Sequence, residues 1–373
     1  MTTFNKDKRA FATSSSNTLV EKDSVHEGDH YALVPNRSLI EIEGPDTAKF
    51  LQGLITNHMP LIAAGGNGFY SSFLSPQGRV LYDTFIYPVN VGVNFPHSKF
   101  IIECSGGAIG PLTQHMKRYI LRSKVKVKDV SSDYSIWNIW GPGTANIRSA
   151  LHKEPAHHEK HLAGSLIKKE GRISDIGCLD PRVPGFGYRV VSRNTEEYIL
   201  ALALPDSFSE LPSTEYTIRR ILHGIPEGLE DLWTGQSLPL ESNFDYMNGV
   251  DFRKGCYIGQ ELTIRTYHTG VVRKRIVPVQ IYRANESIPQ TLSVARDCTM
   301  PSLPSVQADI KPIEGSRRPA GKFGSGIHNI GLALMRLDSA QKDEAGFIID
   351  EAGSDLRVKP FIPEWWPVEE ESS

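Results

Sequence analysis

The chain has few cysteines, no long apolar run and almost no net charge, and each shortage excludes a class of protein. Its 373 residues include four cysteines, none of them in a CxxC pair, which argues against a structural zinc site and a secreted disulfide scaffold. No apolar run is long enough to cross a bilayer. The formal net charge of −2 argues against a nucleic-acid coat. These shortages favour a globular protein of a reducing compartment.

The order of apolar patterns and turns divides the chain into five segments. The first is rich in Ser, Thr, Asn and Lys, and we expect a disordered tail or the remnant of a mitochondrial presequence. In the next two, a strand followed by Gly-Pro and a helix occurs twice, which predicts two related α+β subdomains. The last folded segment predicts a C-terminal β-barrel with an irregular insertion near 286–320. The segments are 1–28, 29–135, 136–270, 271–365 and an acidic tail, 366–373. We expect Trp365 and Trp366 to pack the C-terminal end of the chain against the folded domain.

One stretch combines residues that ordinary core packing does not need. It reads Lys254-Gly255-Cys256-Tyr257-Ile258-Gly259-Gln260-Glu261. Glycines on both sides of the cysteine allow a tight loop, because they accept backbone angles that a Cβ forbids. A thiol on such a loop is accessible, and the neighbouring cations Arg253 and Lys254 favour the thiolate. We therefore predict that Cys256 is a functional thiol.

Three blocks of sequence resemble one known family. They are Ile42-Glu43-Gly44-Pro45-Asp46 with the helix that follows, Gly78 to Asp83, and the cysteine stretch continuing into Arg265 and His268-Thr269-Gly270. The chain resembles the folate-binding proteins related to the T-protein of the glycine cleavage system, within the subgroup of Iba57/Caf17 and bacterial YgfZ. The resemblance extends over nearly all of 30–365.

This resemblance implies both a fold and a function. The fold is α+β, with two subdomains around a central channel and a C-terminal β-barrel. The function is iron–sulfur cluster assembly in the mitochondrial matrix, where such proteins act with the A-type carriers Isa1 and Isa2 to make [4Fe–4S] clusters. By resemblance Cys256 is the functional thiol. Clusters normally take four cysteine ligands, so a single motif cysteine predicts a transient cluster shared with a partner, bound by a protein that is monomeric on its own.

The remaining motif residues are predicted to support the thiol. Tyr257 pins the loop to the core, and Gln260 and Glu261 hold its shape together with Gly255 and Gly259. Lys254 and Arg265 supply positive charge near the thiolate or bind an anionic ligand tail such as a folate glutamate. For both cations a plain surface salt bridge is the alternative.

The folate site that the resemblance implies is altered in this chain. In the T-protein pattern an acidic pair follows the hairpin glycine, whereas here Tyr82 precedes a single Asp83. Arg220 is kept, but Leu222 replaces the glutamate that grips the pterin, and leucine cannot pair with the pterin's N–H edge. These replacements argue against aminomethyl transfer. A tetrahydrofolate-dependent one-carbon transferase using Asp83 and Arg220 remains the alternative function, and a tRNA-modification accessory protein is a third.

Overall fold

The computed structural model describes residues 23–89, 97–145, 174, 176–194, 204–297, 302–314, 318–342, 346–351 and 354–367. Within these ranges the strands form two five-stranded sheets and one closed six-stranded barrel, which confirms the predicted α+β class. None of the helices in these ranges has the length and apolar character needed to span a bilayer.

The elements follow the order that the apolar patterns predict. The strands are β1 His30–Leu33, β2 Arg37–Glu43, β3 Phe69–Leu74, β4 Val80–Pro88, β5 Lys99–Ser105, β6 Lys126–Asp129, β7 Tyr134–Trp140, β8 Ile176–Leu179, β9 Tyr188–Arg193, β10 Ser209–Leu211, β11 Lys274–Arg283, β12 Asp309–Pro312, β13 Gly321–Ile327, β14 Ile330–Arg336, β15 Phe347–Ile349 and β16 Leu356–Pro360. The helices are α1 Thr47–Gln52, α2 Ile109–Ile120, α3 Ser213–Leu222, α4 Gly228–Asp231, α5 Gln260–Thr269 and α6 Leu337–Lys342.

Each α+β half contributes one sheet. The first has the order β3-β4-β5-β2-β6, and α1 and α2 bury apolar side chains against its core. The second has the order β10-β1-β7-β9-β8. Strand β1 pairs with β7 and β10, so it lies in the second sheet although the predicted subdomain 29–135 includes it. The cause is long-range pairing, which local pattern does not reveal.

The barrel is built from β11-β14-β13-β12-β15-β16. Strand β12 pairs with β13 and β15 and buries Ile310 completely. The prediction of an irregular insertion over 286–320 is therefore wrong for 309–312. This strand is short and ends at a proline, so it has little pattern of its own and is specified by its two barrel neighbours.

Both ends of the described chain are packed. A short 3₁₀ turn, Ser24–His26, precedes β1, so order begins earlier than the predicted boundary after residue 28. At the other end Trp365 Nε1 donates a 2.8 Å hydrogen bond to the His223 carbonyl, and Trp366 contacts Tyr246, as predicted. The predicted N-terminal tail and the acidic tail lie largely outside the described residues, as does the fourth cysteine, Cys298.

Candidate functional site

The cysteine stretch forms a loop that ends at the first turn of α5. Cys256 and its neighbour Gly255 are exposed, whereas Tyr257 is buried in the main apolar core. The amide of Ile258 donates a 3.0 Å hydrogen bond to the Gly53 carbonyl, which ties the loop to the end of α1. The structure therefore presents the thiol to solvent from a segment that is fixed on both sides.

The Lys254 ammonium is bound by backbone carbonyls, whereas the sequence predicts a positive charge available to the thiolate or to an anionic ligand. The ammonium donates to the carbonyls of Gln52, Ile55 and Asn57 at 2.8, 2.5 and 2.9 Å. It also lies 4.6 Å from the ring centroid of Tyr257. Burial lowers the pKa of Lys254 to about 7, while three carbonyl acceptors favour the ammonium form. All three N–H groups donate within the chain, so Lys254 fixes the loop to the segment 52–57. It therefore does not have the predicted role of a free cation or of a partner in a surface salt bridge.

Gly259 and Gly78 bring two of the predicted sequence blocks into contact. Gly259 has φ +80°, and a Cβ there would lie 2.2 Å from the Ser75 carbonyl oxygen. Gly78, in the β3–β4 turn, has φ +78°, and its Cβ would lie 2.9 Å from the Gly259 carbonyl oxygen. The hairpin turn thus packs directly on the cysteine loop, and both glycines are required for that approach.

The other motif residues divide into those that shape the loop and those that stay exposed. Gln260 Oε1 accepts a 3.1 Å hydrogen bond from the Tyr257 amide, which is the shape-holding role predicted for it. Gly255 has no positive φ, and a Cβ there would meet no atom within 4 Å beyond its two chain neighbours. The expectation that this position needs glycine conformations is therefore wrong. Glu261 and Arg265 are exposed on α5.

The described cysteines differ sharply in accessibility. Cys104 and Cys178 are both buried, whereas Cys256 is exposed. Burial raises the pKa of the Cys104 thiol to about 12 and that of Cys178 well above its ordinary value. Both therefore stay protonated near neutral pH, where a metal ligand must be a thiolate. Cys256 is the thiol among them that can meet a partner.

Asp83, predicted to bind a cofactor, lies in a buried ion-pair network. Its exposed fraction is 1 %, its Oδ2 lies 3.0 Å from Arg37 Nη1, and its Oδ1 accepts from the Gly228 amide at 3.2 Å. Burial raises the pKa of Asp83 more than Arg37 lowers it. Asp83 Oδ2 and Arg37 Nη2 nevertheless lack a partner with hydrogen-bond geometry.

The network extends through charges that the sequence pattern does not single out. Glu103 bridges Arg37 and Arg189, with its Oε1 2.6 Å from Arg37 Nε. Arg182 joins Asp180 at 2.7 Å and Glu227 at 2.6 Å. Burial alone would raise the pKa of Glu227, but Arg189, Arg182 and Arg37 hold it well below its usual range. No sequence signal distinguishes these residues from surface charges, and the segment around Asp180 reads as a turn.

Arg220, which is also predicted to bind a cofactor, has its partners within the chain. Its Nη1 donates to Asp231 Oδ2 at 2.6 Å and to the Ile225 carbonyl at 2.7 Å. Its Nη2 lies 3.4 Å from Ser325 Oγ on β13. The side chain therefore links α3 to α4 and to the barrel, and Leu222 beside it is buried.

These features define a class of protein: a T-protein-like body that carries a barrel and, among the described cysteines, exposes Cys256. The family model of the GCVT N-terminal domain matches residues 20–178, and that of the CAF17 C-terminal beta-barrel domain matches residues 273–368. The solved structure of glycine cleavage system aminomethyltransferase T from Bartonella henselae is similar in fold, with a TM-score of 0.61 over 91 % of this chain and 87 % of that one, at 14 % identity.

Curated relatives narrow the class to one family. The proteins named "Iron-sulfur cluster assembly factor IBA57 homolog, mitochondrial" from Neosartorya fischeri and Aspergillus fumigatus are each 40 % identical to this chain, and the matches cover 90 % of this chain and 81 % of each relative. The homologue from Mycosarcoma maydis is 36 % identical, over 90 % of this chain and 84 % of the relative. The chain belongs to the IBA57 family.

Proposed function

We propose that this chain is a mitochondrial iron–sulfur cluster assembly factor, as its named relatives are, with Cys256 as the thiol that contacts the cluster. The observation that carries the proposal is the contrast among the described cysteines. Cys256 is exposed on a pinned loop, while Cys104 and Cys178 are buried. A thiol held in one position by its neighbours is pre-organised to ligate iron without an ordering cost at the moment of binding.

The cluster is cargo that this chain shares with a partner. An iron–sulfur cluster takes four ligands, and Cys256, the exposed thiol of the described part of the chain, supplies one of them. We infer that the other ligands come from A-type carriers of the Isa1/Isa2 kind, met in the mitochondrial matrix by a monomer of this chain during maturation of [4Fe–4S] proteins. The open space at Gly255 suits the approach of a second protein to the neighbouring sulfur. The exposed Arg265 on α5 suits an anionic group on that partner.

The alternative is a tetrahydrofolate-dependent aminomethyl transferase. One observation favours it: buried Arg37 Nη2 makes no hydrogen bond, and Asp83 Oδ2 has only its ion-pair contact with Arg37 Nη1, as atoms facing a polar ligand would have. Against it, Arg220 is fully engaged within the chain and Leu222 offers no polar atom. Calorimetry with tetrahydrofolate separates the two functions. Micromolar binding that Asp83→Asn abolishes would support the transferase.

The assembly role is tested by mixing the protein with a cluster-loaded A-type carrier. We expect a coloured heterodimer, seen in the visible spectrum and by native mass spectrometry, that Cys256→Ser abolishes. Cys298→Ser is the matched control and should leave the complex intact. In cells lacking the native protein, Cys256→Ala should leave aconitase-type enzymes inactive. Fully active enzymes in those cells would show that the thiol does not carry the function.

A further inference from the structure

A separate cavity lies between α5 and the first barrel strand. Its volume is about 420 Å³, within the range of roughly 300–1,000 Å³ for small-molecule sites. Its wall contains both apolar and charged side chains. The apolar side chains include Leu240, Leu262 and Val271, and the charged ones are Glu241 and four cations, among them Arg273, Lys274 and Arg336. A lining that combines apolar and cationic side chains suits an amphipathic molecule.

Two of these cations face each other across the barrel sheet. Lys274 on β11 is the direct antiparallel partner of Arg336 on β14, and like charges in directly opposed positions destabilise a sheet. Elsewhere in the described strands, directly opposed charged pairs have opposite signs. These pairs are Glu41 with Lys128, Glu43 with Lys99 and with Lys126, and Asp309 with Lys322. The like-charge pair therefore departs from the rule that the rest of the fold follows, and it does so at the wall of a cavity.

Three cations of this cavity have no carboxylate close enough to pair with them in the described part of the chain. Among the described residues, no carboxylate lies within ion-pair distance of Arg273, Lys274 or Arg336. The acid that lines the cavity is Glu241, and burial raises its pKa while Lys274 and Arg79 lower it. Three cations against one partly buried acid leave an excess of positive charge, which an anionic group would neutralise.

We propose that this cavity binds a small amphipathic anion, a carboxylate or a phosphate monoester on an aliphatic body. The anionic group lies between Lys274 and Arg336, and the aliphatic body packs against Leu240, Leu262 and Val271. This site does not use Cys256 and goes beyond the assembly role. Its walls include Leu262 and Thr266 of α5, so a ligand there contacts the helix that begins directly after the cysteine loop.

Calorimetry on the full chain with octyl phosphate, octanoate and 1-octanol tests the proposal. We expect at least one of the two anions to bind with 1:1 stoichiometry and 1-octanol to bind about tenfold more weakly or worse, since charge-assisted hydrogen bonds contribute that much. The tighter anion identifies the head group. Binding of neither anion, or equal binding of 1-octanol, would overturn the proposal.

Variants assign the binding to these residues. Lys274→Gln and Arg336→Gln should each weaken the tighter anion about tenfold, while Glu241→Gln should strengthen it because a repelling charge is removed. Lys322→Gln, a barrel base whose partner Asp309 lies 2.8 Å away, is the control and should bind normally. Lys274→Gln should also keep or raise the Tm, because it relieves a like-charge pair. If both cation variants had a lowered Tm and an unchanged affinity, Lys274 and Arg336 would stabilise the fold without binding the anion, and the proposed site would be refuted.

Discussion

At the scale of single residues, the two glycines of the cysteine loop have different roles. Gly259 adopts the left-handed region and lies against the hairpin turn, where a methyl group would meet the Ser75 carbonyl oxygen. Gly255 has no positive φ, and a Cβ there would meet open space. The sequence presents them as an equivalent pair around Cys256, and the structure shows that only one of them is needed to build the loop.

Gly259→Ala should therefore destabilise the protein, and Gly255→Ala should not. The left-handed conformation costs a side-chain-bearing residue about 1–2 kcal/mol, and the contact with Ser75 adds to it. We expect a loss of at least about 2 kcal/mol for Gly259→Ala and a change within about 0.5 kcal/mol for Gly255→Ala. Urea unfolding of both variants beside the wild type measures the difference. Equal losses would mean that Gly255 is constrained as well.

At the scale of elements, the N-terminal 3₁₀ turn is held to α3 by a small cluster of charges. Arg296 Nη2 lies 2.7 Å from Asp23 Oδ2 and 2.6 Å from Glu215 Oε2. His26 Nε2 lies 3.0 Å from the same Glu215 oxygen. Asp23, His26 and Glu215 have a donor set that could suit a metal ion, but the Arg296 guanidinium already pairs with both carboxylates. We interpret this group as a clasp that fastens the start of the described chain.

The clasp should open as the pH falls below about 6.5, the ordinary histidine pKa. Burial lowers the pKa of His26 in the folded protein, so below that pH the released segment binds a proton that the closed clasp excludes. Stability is thus present above about pH 6.5 and lost below it. Hydrogen exchange at the Val25 and His26 amides, corrected for intrinsic rates, should show less protection at about pH 5.5 than at about pH 7.

Two variants separate the effect of His26 protonation from that of the Arg296 ion pairs. His26→Gln should remove the pH dependence, and Arg296→Met should lower protection at both pH values, because two carboxylates lose their cation. Wild-type protection that is equal at the two pH values would contradict the assignment of His26 to the clasp.

Local pattern predicts the elements better than it predicts their partners. The β3–β4 hairpin, α2 and α3 have periodic apolar residues, and the structure confirms them within a few positions. Strand β12 cannot be predicted from local pattern because its pairing depends on the rest of the barrel. The role of Lys254 cannot be predicted locally either, because its carbonyl partners lie about 200 residues earlier in the chain. The charges of Arg182 and Glu103 are buried only because the two sheets enclose them, and residue type alone does not reveal that.

At the scale of the whole molecule, the body and the barrel share one apolar cluster, beside the separate cluster inside the barrel. The largest apolar cluster contains Tyr216 and Ile218 of α3 together with Ile276, Leu332 and Phe361 of the barrel region. Arg220 adds a polar link, because its partner Asp231 also accepts a 3.0 Å hydrogen bond from the Ser325 amide on β13. A barrel joined in this way is expected to unfold together with the body.

Arg220→Met should lower the stability of the whole chain while keeping a single transition. Removing the guanidinium leaves Asp231 buried without its cation, and losing one partner of a buried pair typically costs about 3–5 kcal/mol. Tryptophan fluorescence and far-UV circular dichroism should therefore shift together to lower urea. Asp231→Asn combined with Arg220→Met should recover part of the loss, because the orphaned charge is gone. Separate transitions for the two probes would show that the barrel is an independent unit. If the urea midpoint of Arg220→Met were unchanged and tetrahydrofolate binding were lost, Arg220 would have the folate-binding role that the T-protein resemblance implies.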